Sequence, residues 1–163
     1  MSFAPGGAHR SNCSIKGLDG KSAESSIRGT CACAGRMTIE VGQKFSWQRS
    51  FTAEDVEAFA RLSGDRGAHH LRPDEAGRIM VHGLLTATVP TKIGGDLDYI
   101  AREMAFEFLR PVFVGNTVRV DAVVTKLTRE AGHLAVAVDF ECHNQDGKKV
   151  LSGSTHGIIR SKS

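Results

Sequence analysis

Hydrophobic and polar residues change rhythm along the chain, and the changes mark out its elements. Up to residue 36, Phe3, Ile15, Leu18 and Ile27 fall on no helical or strand period, in a stretch rich in Gly, Ser and Ala. From Thr38 to Trp47 the pattern alternates loosely and ends in Phe45 and Trp47, which predicts a short strand or extended arm. Thr52 then precedes Glu54 and Asp55. That is an N-cap with carboxylates in the first turn, where backbone N–H groups lack acceptors. Val56, Phe59, Ala60 and Leu62/Ser63 follow at helical spacing and predict one buried face, with Gly64 as its end. Asp65 to Val81 carries Gly67, Pro73 and Gly77 and reads as an irregular loop. His82 to Val89 is mostly apolar and predicts a buried helix, kinked or ended soon after Pro90, with a glycine C-cap at Gly94-Gly95.

Beyond Gly95 the period shortens to two. Ala101 to Leu109 alternates, with Met104, Phe106 and Phe108 on one side and Glu103, Ala105 and Glu107 on the other. Arg110 to Thr117 is a turn-rich join, and Val118 to Leu127, Leu134 to Cys142 and Val150 to Ile159 complete three further strands. Glu130 to His133 and Asn144 to Gly147 are hairpin turns, the second carrying an Asp-Gly pair. The order is strand, helix, loop, buried helix, then an antiparallel meander of four strands. This is an α+β chain in which a curled antiparallel β-sheet wraps a central apolar helix, the hot-dog fold. A generic α+β sandwich is the other architecture with this order. So small a sheet leaves an edge unpaired, which predicts a homodimer joined through its sheets or its central helices.

Composition narrows the possibilities. Charged residues at 24% and hydrophobic residues at 40% fit a single globular domain over residues 37–163, and no apolar run approaches the roughly 20 residues of a membrane span. The net charge of +3 resides in residues 1–36, where Arg10, Lys16, Lys21, Arg28 and Arg36 face only Asp19 and Glu24. The body is neutral, so it offers no basic face for nucleic acid. Residues 1–36 read as a disordered N-terminal extension, or as sequence upstream of a true start at Met37. Their Ser- and Arg-bearing, acid-poor composition resembles a transit peptide but lacks an amphipathic run. Cys13, Cys31, Cys33 and Cys142 form no disulfide framework, which points to a reducing, cytoplasmic setting, and Cys31-Ala-Cys33 has no second ligand pair to complete a zinc site.

Three linked motifs carry the chemistry. Leu62-Ser-Gly-Asp65-Arg-Gly-Ala-His69-His70 is followed by Val81-His82-Gly83-Leu84-Leu85, then by Phe108-Leu-Arg110-Pro111-Val112 and Gly115-Asn116-Thr117. Over about residues 40–160 this resembles the MaoC-like dehydratase and (R)-specific enoyl-CoA hydratase family. Its motif reads roughly Ser-Gly-Asp-x-Asn-Pro-x-His, followed by a His-Gly pair opening the central helix. Two departures stand out. Gly67-Ala68 replaces Asn-Pro, and only eleven residues separate His70 from His82, which implies a short wall on one side of the acyl pocket.

The resemblance implies a hydro-lyase that adds or removes water across the α,β-double bond of an acyl thioester. The implied catalytic residues are Asp65, His70 and Gly83, and the implied substrate-binding residues are His82, Leu84 and Thr88. No cofactor is expected, because the substrate carries coenzyme A or a phosphopantetheine arm. The residue types fit that chemistry. An Asp and a His five residues apart on one loop reach one water and supply base and acid together. Gly83, in the first helical turn, offers an N–H without an intrahelical acceptor and no Cβ to hinder a carbonyl oxygen. His69 reads as an outward-pointing neighbour. The hydroxyl of Thr88 serves either the dyad or its own helix backbone. His69, His70 and His82 as zinc ligands are disfavoured by the adjacency of two of them. Arg78, Lys92 and Arg110 are candidate phosphate partners that read more readily as ordinary surface bases, and His133, His143 and His156 carry no signal. Two rival functions remain. One is a hot-dog thioesterase, which calls for a carboxylate on the central helix. The other is a non-catalytic acyl-thioester-binding module.

Overall fold

Two tight turns set the register of the sheet. The Asn144 side chain accepts from the backbone N–H groups of Asp146 (3.1 Å) and Lys148 (2.9 Å), which closes the turn between β4 (His133–Asn144) and β5 (Lys149–Arg160). The turn at 131–132 joins β3 (Thr117–Glu130) to β4. The computed structural model describes residues 39–160, so the segment 1–36 with Cys13, Cys31 and Cys33, the start at Met37, and Thr38 lie outside the described residues.

Five strands form one antiparallel sheet in the order β1-β3-β4-β5-β2, with β1 at Lys44–Ser50 and β2 at Tyr99–Phe108. Only β3, β4 and β5 form a meander. The expected four-strand meander is corrected, because β2 passes over β3 and β4 to pair with β5 at the far edge. Its approach there is close: a Cβ on Gly153 would lie 2.1 Å from the Ala105 carbonyl oxygen, so only glycine fits under that part of β2. Register shifts between Val124 and Lys126 and between Ala101 and Glu103 bend the ladders, and bulges of this kind increase twist and curl a sheet.

Alternation decides the faces. Val118, Val120 and Ala122 of β3 pack with Phe140, Cys142, Val150 and Leu151 against Phe51, Val56, Val81, Leu85, Val89 and Ile93 from the helical side, while Val124 is buried with Ile39 and Val136 in a second, smaller cluster. Strand β2 breaks the pattern. Ile100, Met104 and Phe108 are substantially exposed, so its apolar residues do not all turn to the core. Strand β1 starts at Lys44 and runs to Ser50, later than expected, because Gln43 N–H closes a turn onto the Glu40 carbonyl (3.1 Å).

Helix α1 (Ala53–Ser63) forms as its sequence dictates. The Thr52 hydroxyl accepts from Asp55 N–H (3.2 Å) while the Asp55 carboxylate accepts from Thr52 N–H (2.9 Å). Burial works to raise the Asp55 pKa. The Thr52 amide and the Arg49 guanidinium, 2.8 Å away, outweigh it and hold the carboxyl below its ordinary range. Val56 and Ala60 are buried, but Leu62 is 84% exposed and does not belong to the expected apolar face. The loop that follows holds one short helical turn, α2 (Ala68–Leu71), where none was expected.

The central helix is split. α3 (Gly83–Thr86) and α4 (Thr88–Asp96) meet at Ala87, three residues before Pro90 rather than after it. Pro90 lacks the N–H that Thr86 O would receive, and its ring crowds that carbonyl, so the break falls one turn upstream. Pro90 then sits in the first turn of α4, where a missing N–H matters least. The hydroxyls of Thr86 and Thr88 donate to His82 O (3.2 Å) and Leu85 O (2.6 Å) at the interruption. Gly94 and Gly95 remain inside α4, and the cap falls at Leu97 instead. α4 lies across β1, β2 and β3. Among the described residues no helix is long and apolar enough to cross a membrane.

Candidate active site

The end of α1 aims Asp65. Gly64 adopts the left-handed conformation (φ 77°) that an L side chain resists, and its N–H returns to Ala60 O. The Ser63 hydroxyl donates to Phe59 O (2.7 Å) and accepts from Asp65 N–H (3.1 Å). One carboxylate oxygen of Asp65, Oδ1, accepts from Gly67 N–H (3.2 Å). The other, Oδ2, is left 3.8 Å from Nε2 of His70. That separation is too long for a direct hydrogen bond. The Asp65 side chain is 55% exposed, whereas that of His70 is 6% exposed.

His70 arrives on α2 and its tautomer is fixed. Nδ1 lies 2.8 Å from the Met80 carbonyl, which only accepts, so the hydrogen sits on Nδ1 and Nε2 presents a lone pair on the side of Asp65. Met80 is itself held, since its N–H donates to His69 O (3.1 Å) and it bridges to Phe113. Val81 N–H donates to Val112 O (2.8 Å) and Val114 N–H to Ile79 O (2.9 Å). These bonds anchor the approach to His82 on the Arg110-to-Thr117 join.

His82 is 1% exposed. Its Nε2 lies 3.0 Å from the Asp65 carbonyl, and its ring stacks on His70 (centroids 3.7 Å apart, planes at 22°) and tilts against Phe59 (5.0 Å). His69 covers His70 at 3.9 Å and folds back over Gly67, where a Cβ would lie 2.8 Å from His69 Cε1. The replacement of Asn-Pro by Gly67-Ala68 thus leaves room that the His69 ring occupies.

Gly83 opens α3, and its N–H has no intrahelical acceptor. The sequence suggests open space where the Gly83 Cβ is missing, but that space is occupied. The Phe108 ring lies 3.1–3.4 Å from the Cβ position and is half exposed there. Leu84 is 61% exposed on the surface of α3, and the Thr88 hydroxyl donates to Leu85 O, its own helix backbone. The structure therefore gathers Asp65, His70 and His82 around one point with Gly83 next in the chain, while Leu84 and Thr88 show no contact with them. Sequence reasoning missed Met80 O and Phe108. Phe108 had a signal, since it opens the third motif; a backbone carbonyl has none.

An apolar cavity of about 160 Å³ lies between α4 and the sheet, lined by Phe45, Ile93, Leu97, Tyr99, Val124 and Phe140 among others. Asp65, His70 and Gly83 are not among its lining residues. Tyr99 and Thr155, hydrogen-bonded to one another (3.1 Å), are among its polar residues, with Thr91, and burial raises the pKa of the Tyr99 phenol.

Asp65, His70 and His82 each bring one ligand atom within 4.8 Å of the others. The stacked rings fit a metal ion poorly, because an ion about 2 Å from one ring nitrogen in its plane lies well out of the other's plane. The three phosphate candidates are engaged elsewhere. Arg78 pairs with Asp74 and lies over Phe113, Lys92 pairs with Asp96, and Arg110 donates to Lys149 O.

Comparison with known proteins gives the chain its relatives. Residues 74–150 match the family described as the thioesterase superfamily. The chain is 35% identical over 104 residues to the (R)-specific enoyl-CoA hydratase of Aeromonas caviae, covering 57% of this chain and 76% of that protein. It is 24% identical over 145 residues to the mitochondrial 3-hydroxyacyl-[acyl-carrier-protein] dehydratase of Arabidopsis thaliana, covering 82% of this chain and 85% of that protein. The A. caviae (R)-hydratase structure superposes with a TM-score of 0.67 at 29% identity, over 77% of this chain and all of that one. An unliganded R-hydratase of Pseudomonas aeruginosa gives 0.66 at 25% identity, over 77% of this chain and 84% of that one. With 35% identity across 76% of the A. caviae hydratase and the same hot-dog fold, this chain belongs to the (R)-specific enoyl-CoA hydratase family.

Proposed function

We infer that the protein is a hydro-lyase that adds or removes water across the α,β-double bond of an acyl thioester. The observation that carries the mechanism is the Asp65–His70 pair, with Nε2 of His70 bare and Asp65 Oδ2 3.8 Å from it. One water reaches both atoms. As its oxygen bonds to the β-carbon, Nε2 takes its proton, and the Asp65 carboxylate offsets the charge that develops on the imidazole. The electron pair of the double bond moves toward the thioester carbonyl, whose oxygen is met by Gly83 N–H, and the α-carbon then takes one proton back from the pair. The thioester itself stabilises the α-carbanion, so the residues need no metal or redox group for this chemistry.

The acyl carrier is proposed to be coenzyme A or a phosphopantetheine arm, and the compartment the cytoplasm, on the cysteine pattern. A homodimer is proposed because β1 and β2 leave two sheet edges, and β2 exposes Ile100, Met104 and Phe108. The thioesterase reading is weaker. The acid of the central helix is Asp96, at its far end and ion-paired with Lys92.

The test is hydration of a short enoyl-CoA, followed by loss of conjugated-thioester absorbance. Asp65→Asn and His70→Ala are each expected to lower turnover by about 10²–10⁴-fold. Unchanged turnover in both overturns the mechanism. Tight binding without turnover in the wild type selects the binding module.

A further inference from the structure

We propose that His82 is a positioning residue, which holds Asp65 and His70 in register through one hydrogen bond and one ring stack. The proposal rests on the hydratase reading above. Asp65 and His70 belong to a six-residue span, and their relative position is set by a loop with Gly64 on one side of Asp65 and Gly67 on the other. Such a loop has wide conformational freedom, and the Asn-Pro pair that would stiffen it is absent. His82 supplies the missing constraint from outside the span. Its Nε2–H donates to the Asp65 carbonyl (3.0 Å), which fixes the backbone that carries the carboxylate. Its ring lies flat on His70 at 3.7 Å, which fixes the plane in which the His70 Nε2 lone pair points. Phe59 backs the His82 ring, so the stack is anchored on the buried side of α1.

His82 holds this place at a disadvantage to the fold. The acceptor at Asp65 O leaves the hydrogen on Nε2, so Nδ1 is a bare lone pair. It is buried and has no hydrogen-bond partner. A buried, unsatisfied acceptor destabilises a core, and an apolar side chain of similar size would remove the defect. A residue present only for packing has no reason to carry it. Direct contact with the substrate is not the reason either, because the side chain is shut away from solvent.

The experiment compares the full-length wild type with His82→Leu, His82→Gln and His82→Asn. Leucine removes both the donor and the orphan acceptor. Glutamine places an amide nitrogen near the position of Nε2, and asparagine places one near Nδ1. For His82→Leu, kcat for enoyl-CoA hydration is expected to fall about 10–100-fold, the range typical of residues that orient a reacting group. KM is expected to change little, with the thermal midpoint equal to or above the wild type. His82→Gln is expected to recover most of the lost kcat, and His82→Asn to recover little. Unchanged kcat in His82→Leu overturns the proposal. So does a parallel loss of kcat and thermal midpoint with no rescue by glutamine. If His82→Leu does not fold, equal activity of the Gln and Asn variants overturns it as well.

A second readout separates this proposal from the function it rests on. In histidine-labelled protein, the His70 Nδ1–H resonance held by Met80 O is expected to exchange slowly in the wild type and in His82→Gln, and rapidly in His82→Leu or, where that variant does not fold, His82→Asn. Slow exchange in every folded variant overturns the positioning role even where hydration is robust. If the wild type hydrates no enoyl thioester, the functional reading falls while this resonance still decides what His82 does.

Discussion

The amide of Gly83 can be deleted without breaking any hydrogen bond of the fold. His82 has φ −58° and ψ 140°, the conformation a residue must adopt before proline, and Gly83 is the first residue of α3, where proline is tolerated. Gly83→Pro therefore removes an N–H that has no intrahelical acceptor. The Cβ it adds lies 3.1 Å from Phe108 Cε1 and 3.3 Å from Cδ1, which asks the ring to shift by a few tenths of an ångström, and the proline ring adds Cγ and Cδ beside it. Phe108 is 51% exposed and free to yield. Gly83→Ala imposes the same Cβ and keeps the N–H, so the two variants differ in the amide hydrogen and in the ring Cγ and Cδ that replace it. An amide that meets the thioester oxygen predicts a fall in kcat of about 10²–10³-fold, or about 2.7–4 kcal/mol, in the proline variant. The alanine variant should stay within a few-fold of wild type, with both thermal midpoints near the wild-type value. The assay is initial-rate enoyl-CoA hydration alongside thermal unfolding. If alanine falls as far as proline, the Phe108 contact matters and the amide does not. If proline keeps its rate, Gly83 has no oxyanion role.

Thr52→Ala removes half of the capping box of α1 and is expected to cost about 1 kcal/mol, seen as a lower midpoint in denaturant unfolding. Its turnover per folded molecule should change little, because the other end of α1 carries Asp65. Burial, reinforced by the Asp121 charge, pushes the Cys142 thiol from 9.0 up to about 12. The unfolded chain therefore loses that proton first as pH rises, and the contribution of Cys142 to stability is complete below about pH 9 and lost between there and about pH 12. Unfolding midpoints measured between pH 9 and 11 should decline more steeply in wild type than in Cys142→Ala. Equal slopes would show that the thiol is not held in its protonated form by the fold.

Local chemistry was the legible part of this chain. Thr52, Gly64 and the Asn144-to-Gly147 turn act within a few residues of themselves, so sequence spacing states them in full. The Asp65–His70 pair was legible for the same reason, since one loop carries both. What the spacing does not encode is partnership over distance. The alternation in 101–109 announces a strand but is silent on whether it pairs with β3 or with β5, and Gly153 reveals the answer only once Ala105 is known to lie over it. Pro90 was noticed and its effect misplaced, because the carbonyl it disturbs lies four residues back. Leu62 kept the helical period of a buried residue, yet nothing packs over its position at the end of α1. The tautomer of His70 rests on a main-chain oxygen from Met80, which any residue type would supply.

The interruption at Ala87 has an evolutionary consequence. A continuous helix passes tilt and rotation along its whole length, so remodelling one end disturbs the other. Here a one-turn segment carries the amide at Gly83, and a separate nine-residue segment contributes Pro90, Thr91 and Ile93 to the wall of the apolar cavity. Drift in the shape of that chamber can accumulate on the second segment while the first, with Gly83, stays still.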